Sequence, residues 1–313
     1  MLAVPLFCLA FALLAAPKEP EYQGRSLTRW IEDYIRSRVE IDILSPPGAD
    51  LRKPPLSAEN QAKLTQAKTR CKQAETAVRQ LGTNALPFLM RRLRYEPSRL
   101  EKGWDYVYCG LYRQQLTSPP LARHLENADE SVVGFKILSD DATPAIPELR
   151  RLAFNGANAR VSSRAIAAIA NLGTNGLRTL MELVESPFPS VRRDAIEGLQ
   201  AQGTYSVAAI PILVLSLKDN DLSVRIAAVQ AVGTLGSEQD SAIRALAGCV
   251  QDPDPRVREY AVFAIGRCGE RGALVAPAIV SALRDQNASV RVAASNAMQS
   301  ISIGRPLRSM VKP

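Results

Sequence analysis

The stretch DPDPRVREYAVFAIGRCG, from Asp252 to Gly269, concentrates side chains that are common in active sites. Its carboxylates and arginines could serve acid–base catalysis or bind an anion, and Cys268 could act as a nucleophile or a metal ligand. Each of these functions requires partner groups at a defined spacing. Whether the stretch carries chemistry therefore depends on the rest of the sequence.

Groups that could complete a catalytic site are scarce. The chain has one histidine, His124, so a Ser/His/Asp or Cys/His arrangement has a single candidate base with no signature around it. The five cysteines show no Cys-x-x-Cys pair, and Cys249 and Cys268 fall at apolar positions of predicted helices. No Gly-rich phosphate loop or His-Glu-x-x-His motif is present. The sequence predicts no enzyme activity, no cofactor and no metal site.

The residues of this stretch recur along the chain every 33 residues. The recurring Val-Arg pairs are Val191-Arg192, Val224-Arg225, Val257-Arg258 and Val290-Arg291. The aspartates and glycines that keep the same interval are Asp219, Asp252 and Asp285, and Gly203, Gly236 and Gly269. A fixed period of this length indicates a solenoid, in which supersecondary units are stacked one on another.

Each recurring valine begins a predicted amphipathic helix. Alanine stands four residues later, a small residue seven later and an apolar residue eight later, all on one face at the α-helical period. The glycine twelve residues on suits the position after a helix, where a positive φ is required. Asp221, Asp254 and Asn287 are predicted N-caps, with Pro255 at the first helical position. A second helix opens around the prolines Pro87, Pro147, Pro211 and Pro277.

This pattern resembles the HEAT-repeat family, particularly its short bacterial HEAT-like form, over roughly residues 60–302. The residues that carry the resemblance are PAIVSALRDQNASVRVAASNAM and its copies. The resemblance implies an all-α fold, a right-handed α-solenoid of about seven HEAT-like helical-hairpin repeats. It also implies that the turn Asp and the Arg six residues later hydrogen-bond between successive repeats, which gives the pairs Asp219 with Arg225, Asp252 with Arg258, and Asp285 with Arg291. Ser186 replaces the aspartate that would precede Arg192.

The N-terminal region indicates export. Leu2–Ala16 is an uncharged apolar run of about 22 Å as a helix, shorter than a hydrocarbon core of about 30 Å, so residues 1–20 are interpreted as a signal peptide or an N-terminal membrane anchor. The following stretch, YQGRSLTRWIEDYIRSR, resembles the front of exported or membrane-anchored bacterial HEAT-repeat proteins. It predicts a capping helix, whose apolar residues are Leu27, Trp30, Ile31, Tyr34 and Ile35.

The remaining boundaries follow from composition. Residues 21–57 comprise the capping helix and, from residue 43, a Pro-rich linker, and residues 58–302 comprise the solenoid. A helical insertion at 94–125 carries an aromatic cluster, and residues 303–313 form a C-terminal tail. The aromatic cluster consists of Trp104, Tyr106, Tyr108 and Tyr112.

Binding is the function that these observations favour. The expected function is that of a non-enzymatic scaffold for a protein or peptide of unknown identity, located in the cell envelope. The resemblance implies that the helices starting at the recurring valines line a concave groove. The residues expected to point into it are Glu197, Gln230, Tyr260, Phe263, Arg267 and Asn296.

Two alternatives stay open. Residues 63–102 contain ten basic and three acidic residues, a net charge of +7 that permits a nucleic-acid or anionic-polymer ligand, although nucleic acid is not the favoured partner. Some HEAT-like proteins are lyase-type enzymes, but this sequence shows neither the cofactor motif nor the nucleophile that such an enzyme requires.

Overall fold

The computed structural model describes residues 18–46, 56–98, 100–101, 120–156 and 158–302, of which 120–123 and 302 are described by backbone alone. These residues are almost entirely helical, as predicted, apart from one two-stranded hairpin. The chain divides into two compact units, Met1–Ala145 and Ile146–Pro313. The leader up to residue 17, the aromatic cluster of the insertion and the tail from residue 303 lie outside the described residues.

The first unit places the predicted capping helix against two longer helices. Its elements are β1 (Glu21–Tyr22), β2 (Arg25–Ser26), α1 (Leu27–Leu44), α2 (Ala58–Leu81), α3 (Leu86–Leu93) and α4 (Pro120–Leu138). The side chain of Ser26 caps α1 by accepting from the Arg29 amide. Leu27, Trp30 and Ile31 are buried where α1 packs on α2 and α4. The helix runs on through Leu44, and residues 47–55 of the Pro-rich segment lie outside the described residues.

The second unit consists of successive helical hairpins. Its helices are α5 (Ile146–Phe154), α6 (Ala159–Ala170), α7 (Thr174–Leu183), α8 (Pro189–Gln202), α9 (Ile210–Ser216), α10 (Leu222–Leu235), α11 (Asp240–Cys249), α12 (Pro255–Arg267), α13 (Ala276–Ala282) and α14 (Ala288–Ser302). Each even-numbered helix packs on the odd-numbered helix before it and on the next even-numbered helix. The even-numbered helices α6 to α14 are called the long-helix layer below.

The recurring apolar residues form the core between these helices. The valines and alanines of the period are buried as predicted: Val191, Val224, Val257 and Val290, and Ala195, Ala228, Ala261 and Ala294. Close approach of neighbouring helices also depends on glycine, because a Cβ on Gly233 would lie 2.6 Å from the Cβ of Ala264. The same holds one repeat later, where a Cβ on Gly266 would lie 2.9 Å from that of Ala297.

The predicted left-handed turn is confirmed at most repeats and wrong at Gly236. Gly203 and Gly269 have φ of 61° and 56°, and each opens a 3-10 segment that leads into the next helix. Gly236 instead has φ −102°. Glycine is required at position 236 because a Cβ there would clash, lying 2.5 Å from the Cβ of Ala242. This hairpin, like the one formed by α6 and α7, has no proline at the start of its second helix, and α11 starts directly after a short turn.

Residues Pro189–Ser216 are long and apolar enough, by length and composition, to cross a membrane. This stretch contains two helices of the second unit, α8 and α9, joined by a 3-10 segment that starts at the positive φ of Gly203. Val191 and Ala195 of α8 are buried against neighbouring repeat helices. The stretch is therefore explained by the hydrophobic core of the repeats.

Candidate functional site

The recurring aspartates and arginines form a continuous set of ion pairs along one edge of the second unit. The guanidinium of Arg192 donates from Nε and Nη2 to the two oxygens of Asp219, over 2.8 and 2.7 Å. The same two-point contact joins Arg225 to Asp252 and Arg258 to Asp285. All six side chains are largely shielded from solvent. We call these three pairs the Asp–Arg ladder.

The hydrogen-bonded pairs implied by the family resemblance form, but they lie within one turn and not between successive repeats. Arg225 donates from Nη1 to the backbone carbonyl of Asp219, six residues earlier, over 2.9 Å. Its carboxylate partner is Asp252, which lies 27 residues later in the next repeat. The same correction applies to the predicted pairs Asp252 with Arg258 and Asp285 with Arg291. Arg192, Arg225 and Arg258 each join their own turn to the turn of the next repeat.

Arg192 belongs to the ladder although its own turn has no aspartate. Its Nη1 donates to the carbonyl oxygens of Ser186 and Pro187, over 2.9 and 3.2 Å. Because the arginine uses backbone oxygens of its own turn, the residue type at position 186 does not decide whether the bond forms. Arg192 therefore takes its place in the ladder with Ser186 in its own turn.

The ladder aspartates also organise the turns in which they lie. Oδ1 of Asp219 accepts from the amide of Asp221 over 2.8 Å, and Asp252 and Asp285 do the same for the residue two positions later. The predicted caps are confirmed, since the side chains of Asp221 and Asp254 accept amides of the first turns of α10 and α12. The bond from Arg258 lowers the pKa of the Asp285 carboxyl and raises that of the Arg258 guanidinium. The ion pairs of the Asp–Arg ladder thereby stabilise the packing of successive repeats.

The solvent-exposed face of the long-helix layer carries the predicted binding residues. Phe263 is 57% exposed and Tyr260 38% exposed, both on α12. Glu197 on α8, Arg267 on α12 and Asn296 on α14 are exposed as well, and Gln230 on α10 is half-buried. Phe263 thus points away from the core.

A groove between α12 and α14 brings three of these residues together. Tyr260 and Phe263 form one wall, and Asn296 lies on the other beside Val292, in a cavity of about 470 Å³. Glu197, Gln230 and Arg267 do not line this groove. Sequence reasoning missed Val292, which is 60% exposed. Residue type gave no signal for it, because the equivalent positions of the preceding repeats hold Arg193, Ile226 and Glu259, of which one is also apolar.

The groups considered for catalysis do not line this groove. His124 is an exposed residue of α4 in the first unit, in edge contact with the ring of Tyr95. Burial, followed by a hydrogen bond to Glu101, raises the pKa of Tyr95 to about 12. Burial also raises the pKa of the Cys249 thiol to about 11 and that of Cys268, which leaves both thiols protonated at neutral pH. In the part of the chain that the structure describes, no group of His, Cys, Asp or Glu has metal-site geometry.

Several basic residues of the 63–102 segment bind carboxylates of the first unit. Lys63 contacts Glu59 over 2.6 Å, and Arg79 contacts Glu75 over 2.8 Å. Arg70 pairs with Glu40 of α1 over 2.5 Å. These neighbouring carboxylates lower the positive potential that the segment presents to an anion.

Comparison with known proteins identifies the repeat. Residues 146–233, 177–255 and 243–308 match the family model described as HEAT repeats, and together these matches cover more than half of the chain. A comparison with curated protein sequences gives no significant match.

Three solved structures are similar to this chain at low sequence identity. The complex of CpcE and CpcF of phycocyanin lyase from Nostoc sp. PCC7120 is 20% identical, with a TM-score of 0.43 over 50% of this chain and 98% of that chain. An engineered protein from the Northeast Structural Genomics Consortium is 16% identical, with a TM-score of 0.42 over 88% of each chain. A second one is 19% identical, with a TM-score of 0.42 over 57% of this chain and 92% of that chain. The predicted all-α solenoid class is confirmed, and the chain belongs to the HEAT-repeat family.

Proposed function

We propose that this protein is a non-enzymatic scaffold that binds a protein or peptide on the long-helix layer, at the groove between α12 and α14. The observation that carries the proposal is the cluster of exposed apolar side chains, Tyr260, Phe263 and Val292, around one groove. Aromatic side chains that stay exposed in a folded chain lose water on binding and are common anchors of protein interfaces.

The repeat itself supports this location. The position of Phe263 within its repeat is occupied by Glu197, Gln230 and Asn296 in the others, so packing of the solenoid does not require an aromatic ring there. HEAT repeats commonly mediate protein interactions, and a polar rim around an apolar centre is the usual composition of such an interface. Glu259 and Asn296 supply polar groups beside the apolar centre of this groove.

The test compares two surfaces of the same unit. A photo-crosslinking aromatic residue is placed at Phe263 and, as the control, at Leu215, which is 74% exposed on α9. We expect a discrete crosslinked partner from position 263 and none from position 215. Tyr260→Ala with Phe263→Ala should then abolish co-purification of that partner, whereas Leu215→Ala should leave it intact. Equal capture at both positions, or unchanged co-purification by the double variant, would count against the groove.

We further propose that the protein is exported or anchored in the membrane by its N-terminal 20 residues. The apolar run Leu2–Ala16 supports this proposal. Cell fractionation with N-terminal sequencing of the mature protein tests it. Recovery in the cell envelope is expected, with the N-terminus distinguishing cleavage from anchoring, and recovery in the cytosol with an intact N-terminus would contradict it.

A further inference from the structure

Arg291 is the fourth of the recurring arginines, after the three that form the Asp–Arg ladder. Its Nη1 donates to the carbonyl oxygens of Asp285 and Gln286, over 2.7 and 2.9 Å. The three preceding arginines make the same pair of bonds to their own turns. Among the described residues, no carboxylate lies within ion-pair distance of the guanidinium of Arg291.

The two bonds to the turn hold the guanidinium in place for a further ligand. In Arg192, Arg225 and Arg258, the same anchoring of Nη1 leaves Nε and Nη2 to bind both oxygens of one carboxylate. Arg291 offers the same two donors, already oriented and exposed to solvent. A planar guanidinium with two parallel N–H donors matches the geometry of a carboxylate, and orienting it in advance reduces the entropy lost on binding.

The composition of residues 286–313 favours an acidic ligand. Residues 286–313 contain four basic residues, Arg291, Arg305, Arg308 and Lys312, and no aspartate or glutamate. Residues 292–313 therefore supply no side-chain carboxylate for Arg291. The positive charge attracts an acidic partner and disfavours a basic one.

We propose that Arg291 is a docking site for an aspartate of a protein partner, presented in a turn like those of the ladder. The ladder defines this ligand, since each bound aspartate also accepts the amide two residues later and is thereby held in its turn. The site is separate from the groove between α12 and α14. The segment of the partner that Arg291 binds is therefore an acidic turn.

The probe is a peptide with the sequence of Leu217–Ser223, LKDNDLS, which carries the Asp219 turn that docks on Arg192 within the protein. It is added to the full chain labelled with ¹⁵N-arginine, and the Nε–H signals of the arginines are followed by NMR. We expect the Arg291 signal to move at least about fivefold more than that of Arg284, an exposed arginine near the same turn. The signals of Arg192, Arg225 and Arg258 should stay in place, because their carboxylate positions are filled.

Two controls separate docking from general attraction. A peptide with Asn in place of Asp219 should move the Arg291 signal at least about fivefold less, since it retains the turn sequence but loses the charged acceptor. Arg291→Lys keeps the charge and loses the two-point contact, and should weaken peptide affinity several-fold, whereas Arg284→Gln should leave it unchanged. The proposal is overturned if Arg284 and Arg291 respond equally, or if the Asn peptide acts like the Asp peptide. The groove variant Tyr260→Ala with Phe263→Ala should bind the peptide normally, so this test is independent of the proposed groove.

Discussion

At the scale of single residues, the guanidinium of Arg225 joins two repeats through different kinds of oxygen. It binds the backbone carbonyl of Asp219 in its own turn and the carboxylate of Asp252 in the next. A double-mutant cycle with Arg225→Gln and Asp252→Asn should therefore give a coupling free energy of about 2 kcal/mol, because this pair is shielded from solvent and joined by two hydrogen bonds. The cycle with Arg225→Gln and Asp219→Asn should give less than about 0.5 kcal/mol. Urea unfolding measures both, and a larger coupling to Asp219 would refute the register found here.

The Asp285 carboxyl makes the ladder sensitive to acid. Its pKa in the folded protein is below the ordinary value of 3.8, first because of the hydrogen bond from Arg258. A lowered folded pKa adds stability above the unfolded pKa, and this contribution is lost as the pH falls through the folded value. We expect the free energy of unfolding to drop between about pH 5 and about pH 3, with a smaller drop for Asp285→Asn. Identical pH profiles from urea unfolding of the two proteins would contradict the role of this carboxyl.

At the scale of helices, the approach of α10 to α12 depends on the missing side chain of Gly233. A glycine inside a helix normally costs about 1 kcal/mol relative to alanine. Gly233→Ala should nevertheless destabilise by about 1–3 kcal/mol, because the new Cβ would lie 2.6 Å from the rigid Cβ of Ala264. Gly248→Ala in α11 is the matched control, since a Cβ there meets nothing within 4 Å. It should be neutral or stabilising by up to about 1 kcal/mol in thermal or urea unfolding, and a stabilised Gly233→Ala would contradict the packing argument.

The sequence period predicts helices, caps and core because these depend on local residue types. Val224, Ala228 and Asp221 act within one helix, so their spacing is sufficient to assign them. The partner of Arg225 could not be assigned in this way, because Asp219 and Asp252 both stand in register and only the packing of successive turns distinguishes them. The lining of the groove could not be assigned from the sequence for the same reason. Tyr260 and Phe263 were predicted to face outward from one helix, but the role of Val292 requires knowing how α14 lies beside α12.

At the scale of the whole molecule, the net charge of +8 raises the possibility of nucleic-acid binding. The affinity of such complexes falls with salt in proportion to the number of phosphates contacted, with a slope of about −0.9 per phosphate for duplex DNA. Pairs such as Lys63 with Glu59 and Arg79 with Glu75 place a carboxylate beside each cation, and this carboxylate repels phosphate. We therefore expect weak DNA binding with a slope shallower than about −3 between about 50 and 200 mM salt, measured by fluorescence anisotropy.

The same salt titration also tests the alternative that nucleic acid is the partner. Glu59→Gln with Glu75→Gln removes two of the paired carboxylates without adding a cation, and should tighten DNA binding at low salt. The matched control is Glu259→Gln, which changes a charge in the groove of the second unit and should leave DNA binding unaltered. A slope steeper than about −6 for the unmodified chain would mean that the basic segment tracks a phosphate backbone despite its carboxylates. Nucleic acid would then replace a protein or peptide as the favoured partner.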